Sequence, residues 1–178
     1  LTANRMKSAI VALGACLVLV AGPASAHPVP FSFLDLHVGS AEVEVTLVAH
    51  IFDVAHDLQI APPEQLLDPS VLAGQDAAIR RMLASRVHLL VDGQPLAPPE
   101  WSPVEPLVER QSLRMRATYP LQGAPGVVSM DAMMFPYDPQ HQTFINVYER
   151  EGLRLQSILD AGKTRMDYFP GSRQGVAA

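Results

Sequence analysis

Three groups of side chains in this sequence have the types and spacing to hold a transition metal. The first is a junction, where an apolar run ends in Ala24-Ser25-Ala26 and is followed by His27-Pro28-Val29-Pro30. A basic start at Met6-Lys7, the apolar stretch from Ala9 to Val20 and a small-residue A-x-A site read as a secretory signal peptide over residues 1–26. Cleavage there would free an α-amino group beside the His27 imidazole, and two such nitrogens can chelate a metal. Pro28 has no amide hydrogen, so a metal at this terminus cannot go on to displace backbone protons and needs a third ligand from elsewhere. The plain alternative is a frayed terminus.

The second group is His50-Ile51-Phe52-Asp53-Val54-Ala55-His56-Asp57, with two imidazoles and two carboxylates at the end of a strand pattern. With Asp53 capping a turn of helix, His56 follows three residues on and can share a face with it and with His50. Such nitrogen and oxygen donors suit nickel, cobalt, zinc or copper(II), although this spacing is no established zinc signature. Its alternative is an ordinary helix cap flanked by surface histidines. The third group, Asp138-Pro139-Gln140-His141, is a proline-held turn between segments carrying Phe135, Tyr137, Phe144 and Tyr148. A polar and aromatic loop of this kind suits a binding site, and equally a hairpin whose Asp138 bonds its own turn.

Other chemistries lack their residues. The sequence has no G-x-S-x-G elbow, phosphate-binding glycine loop or H-E-x-x-H pair, and Ser112 and Ser129 have no base nearby in the pattern. The one cysteine, Cys16, falls inside the presumed signal, so the exported part has no thiol for a disulfide, a thiolate site or a nucleophile. Leu13-Gly14-Ala15-Cys16 also fits a lipoprotein box, in which case His27 would carry no free amine. Removing residues 1–26 leaves 11 basic against 18 acidic residues, a formal charge of −7. Nucleic acid is therefore a poor partner.

The elements that must position these groups are mostly strands. Leu34 to Val38 and Glu42 to Leu47 alternate around Gly39-Ser40 and predict a hairpin, with Leu34, Leu36, Val38, Val43, Val45 and Leu47 facing a core. Asp53 to Leu58 reads as a short helical turn. From Asp68 to Arg86 the apolar spacing predicts the one full helix, with Asp68 as N-cap and Pro69 at its first position. Strands are expected again over Val87 to Val91, Ser112 to Tyr119, Val127 to Phe135, Thr143 to Tyr148 and Leu153 to Ile158. The expected fold is mainly β: an antiparallel immunoglobulin-like β-sandwich with one inserted helix, a single exported domain over residues 27–178.

The stretches His27 to Ser32, His50 to Leu58, Phe135 to Phe144 and Tyr168 to Gly175 resemble the extracytoplasmic N-terminal region of HupE/UreJ-type membrane proteins. In that family this region precedes a polytopic membrane module associated with nickel or cobalt uptake. The resemblance implies a periplasmic domain tethered to a membrane module beyond Ala178, with His27, His50, Asp53, His56, Asp138 and His141 standing in its recurring stretches. The family's membrane histidines have no counterparts in this chain. Two expectations follow: a domain that binds or delivers nickel, cobalt, copper or zinc, or a metal-free interaction module docking a membrane or exported partner. An exported copper oxidase built on His27 is a more distant third.

Overall fold

Alternation in the first strands gives the framework. In the computed structural model, which describes residues 31–150 and 152–171, β1 (Phe31–Val38) and β2 (Glu42–His50) form the expected hairpin. Leu34 faces Leu47, Leu36 faces Val45 and Val38 faces Val43, and all six are buried. Full burial of side chains this size is worth about 2 kcal/mol each. A one-residue slip would turn the whole set to water, so this pairing fixes the register of everything built on it.

The chain continues through α1 (Ile51–Leu58), α2 (Pro69–Ala84), β3 (Val87–Val91), β4 (Gln94–Pro95), β5 (Glu105–Leu107) and β6 (Ser112–Pro120). It then forms β7 (Val128–Ala132), β8 (Gln142–Glu149), β9 (Gly152–Leu159) and β10 (Arg165–Tyr168). One sheet has the order β5-β6-β2-β1-β8-β9, the other β10-β7-β3-β4. Their inner faces and α2 share one continuous apolar cluster that includes Leu36, Ile79, Leu89, Met130 and Val147.

The mainly β expectation holds, with two corrections. The larger sheet is mixed: β8 returns from the second sheet and enters beside β1 from the same end, so β1 and β8 run parallel, Phe31 facing Gln142 and His37 facing Tyr148. Among the described residues the α-helices are two. Asp68 does cap α2, its Oδ1 accepting from the Ser70 amide at 2.7 Å, and the helix buries Leu72, Ile79 and Leu83. The segment read as a turn is the complete helix α1, and its N-cap is His50, not Asp53: the His50 Nδ1 accepts from the Phe52 amide at 3.3 Å. β4, β5 and β10 are two to four residues long, too short for alternation to mark them.

The topology brings three chain segments to one end of the large sheet. β1 starts there, β2 ends there and runs straight into α1, and the loop from β7 to β8 closes over them. Gly171 lies at the other end, its amide donating to Glu149 at the close of β8.

Candidate functional site

α1 presents two faces. Ile51, Asp53, Val54 and Ala55 point inward and are buried, while Phe52 and His56, one turn apart, point out. Asp53 is thus an ionisable group in the first turn of a helix, on its apolar side, with no exposure to water. Its Oδ1 accepts a hydrogen bond from the Tyr137 hydroxyl at 2.5 Å. Its Oδ2 has no hydrogen-bond partner among the described residues and faces the equally unpartnered Nδ1 of His141 at 3.7 Å. That separation is too long for a hydrogen bond.

Burial decides the charge on this pair. It pushes the Asp53 carboxyl up to about 6, offset in part by the Tyr137 hydroxyl, with Asp138 and Asp57 raising it further. Burial pushes the His141 imidazole down to about 4, and Arg86 lowers it too, against the opposing pull of Asp138. At neutral pH the pair is therefore an ionised carboxylate beside a neutral imidazole, not an ion pair. His141 Nε2 shares a hydrogen bond with the Ser32 hydroxyl at 3.0 Å. A proton on Nδ1 would face Asp53 while Nε2 accepts from Ser32, the tautomer that best suits both neighbours.

The order Ser32, His141, Asp53 is that of a nucleophile, base and carboxylate relay. Ser32 is fully buried in β1, however, so no substrate carbonyl reaches its oxygen in this arrangement.

Above the buried pair lies a row of rings. His50 stacks on Phe52 with centroids 5.1 Å apart, and His56 stacks on Tyr137 at 3.7 Å and 18°. Phe52 is 40% and Tyr137 43% exposed. Tyr137 belongs to both layers, its ring in the exposed row and its hydroxyl on the buried carboxylate. Arg86, at the base of the loop, binds Asp57 at 2.6 Å, donates to the Met134 carbonyl at 2.5 Å and lies over the Phe135 ring. It ties α1 to the loop that carries Tyr137 and His141.

The six residues singled out in the sequence therefore separate. Asp53 and His141 meet in the buried layer. His50 and His56 stand in the exposed row, where burial lowers the His50 pKa. Asp138 holds its own turn, its carboxylate accepting from the Gln140 amide at 2.9 Å and its carbonyl from the His141 amide at 3.1 Å, and its charge acts on the pair. His27 lies outside the described residues. Among those residues no three His, Cys, Asp or Glu side chains converge to hold a metal ion.

Three contributors escaped the sequence reading. Ser32 had a signal, since it sits in phase with Leu34 and Leu36 and so is a polar residue on a core face. Tyr137 was noted only as one aromatic among several, and the contact of Arg86 with Asp57 joins segments too far apart in sequence for any spacing rule. The chain matches no known family model and no curated protein.

Proposed function

We propose that this chain is the exported, immunoglobulin-like domain of a HupE/UreJ-like membrane protein, and that it works as an interaction module rather than an enzyme. The observation that carries this reading is the exposed row His50, Phe52, His56 and Tyr137, seated on a carboxylate buried at a cost. Flat, rigid aromatic side chains bind partners with little loss of conformational freedom, and Tyr137 is held on its far side by Asp53. An ionisable group fully buried at a raised pKa opposes stability, which supports a task for this end of the molecule.

The partner is an exported protein presenting apolar or aromatic side chains. A membrane module joined beyond residue 178 would be reached from the Gly171 end, whereas the row lies at the opposite end of the sheet. The test is a photocrosslinking amino acid in place of Phe52 in the full-length protein, expressed in its native cells. An adduct with a second exported protein is expected. Adducts confined to the protein's own membrane module would reverse the orientation.

A transition metal remains the second reading, and one observation favours it. Asp53 Oδ2 and His141 Nδ1 are two unpartnered donors facing each other, at a spacing near that of ligands sharing one ion. Two donors are too few, but His27 is five residues before Ser32, which bonds His141. Five residues span at most about 18 Å, so an exported His27 terminus is tethered within reach of the pair. Nickel, cobalt, copper and zinc would then be cargo. Titrating copper and nickel into the form beginning at His27, beside the same protein with one extra residue before it, separates the readings. Tight binding lost on blocking the amine supports the metal; binding unaffected by the block removes His27 from any site.

A further inference from the structure

At the end of the large sheet away from the aromatic row, the two sheets part to leave a cleft of about 600 Å³. This volume is in the range of small-molecule sites, roughly 300–1,000 Å³. Val91, Leu96 and Leu121 supply apolar wall and pack on the core behind it. The last inward residue of β6, Tyr119, also lines the cleft, opposite Val43 in register and only 3% exposed.

Tyr119 is the unusual group. Its hydroxyl makes no hydrogen bond among the described residues, and desolvation alone pushes its pKa up to about 12. A buried tyrosine ordinarily finds a partner for its hydroxyl, so this one is a donor left open on a cavity. The walls around it are fixed in advance. Asp92 and Gly93 form the tight turn between β3 and β4, both with positive φ. Asp92 Oδ1 accepts from the amides of Gly126 at 3.0 Å and Val127 at 2.8 Å. A Cβ on Gly126 would meet that oxygen at 2.8 Å, so a larger residue there would push the Asp92 carboxylate aside. On the other wall the Leu121 amide donates to the Ala41 carbonyl at 2.7 Å.

The lining also states the charge of what fits. Among the described residues no lysine, arginine or histidine lines the cleft, and its one carboxylate, Asp92, holds the loop; Gln94 and Gln122 add neutral polar groups at the rim. We propose that this cleft binds a neutral, mainly apolar small molecule through a hydrogen bond from the Tyr119 hydroxyl to an acceptor such as a carbonyl oxygen. The site is distinct from the aromatic row and stands whether or not the docking reading does.

Nile red, neutral and carrying a carbonyl, is the probe. Its fluorescence on titration with the folded domain should report one saturable site with blue-shifted emission. Tyr119→Phe keeps the ring and removes the donor, and should weaken binding about 2- to 10-fold. Ala97→Trp, at an exposed lining position, should fill the cleft and weaken binding at least about 10-fold, with unfolding curves confirming that both variants fold. Absence of saturable binding, or binding that neither substitution changes, would overturn the proposal.

Discussion

Replacing Asp53 by Asn should make the domain more stable at pH 7.5 than the natural sequence, and should tilt its pH dependence the opposite way from replacing His141 by Asn. The raised Asp53 pKa means the folded chain holds that proton more tightly than the unfolded chain. Its stabilising share is complete below about 3.8 and is lost as pH rises through about 6. For His141 the sign reverses: the lowered pKa gives a share complete above 6.5 and lost as pH falls through about 4. In the natural chain the two oppose each other over this window.

Asp53→Asn keeps an acceptor for Tyr137 and leaves only the His141 contribution, so acid should destabilise it more steeply than the parent. His141→Asn keeps a partner for Ser32 and leaves only Asp53, so its stability relative to the parent should rise as the solution is acidified. Shifts of about two pKa units set a ceiling near 3 kcal/mol for each effect, lessened by any water reaching the pair. Asp57, Asp138, His56 and Arg86, the other charged or titratable groups near the pair, are common to all three proteins and cancel in the comparison. Urea unfolding from pH 7.5 to 4.5 is the measurement. Parallel curves for the three proteins would remove the opposed pair from the account.

Tyr137 should show the next largest effect. Tyr137→Phe leaves the ring on His56 but takes the hydroxyl from an ionised, fully buried carboxylate. The cost should be about 1–3 kcal/mol at pH 7.5. The Asp53 pKa should climb further, because the hydroxyl is the bond that holds it down. Below pH 5 the carboxyl is protonated in both proteins, and most of the difference should vanish. A loss independent of pH would point to packing alone. Carbon-13 titration of the Asp53 carboxyl reads the same shift directly.

What the sequence disclosed followed physical range. The hairpin of β1 and β2 and the cap of α2 were legible because alternation, and an Asp before a Pro, act over a few residues. The parallel return of β8 was not, since a long-range pairing leaves no mark in local periodicity. At the site, spacing along the chain does not tell how the singled-out residues divide in space. His50, Asp53 and His56 share a short stretch, but the end of β2 and one turn of helix send His50 to the cap, Asp53 inward and His56 to the surface. The contact between Asp53 and His141 depends on the chain passing through the second sheet before returning. Ser32 could have been found by asking why a polar residue occupies a core phase.

The central claim is that the row over Asp53 docks an exported partner, and its most direct test is crosslinking from position 52 in two versions of the full-length protein. One carries the natural Tyr137, the other Tyr137→Ala, which removes a ring from the row. The account predicts an adduct between position 52 and a second exported protein in the first, and its loss in the second while unfolding shows both domains folded. An adduct of equal yield in both, or none in either, would contradict it.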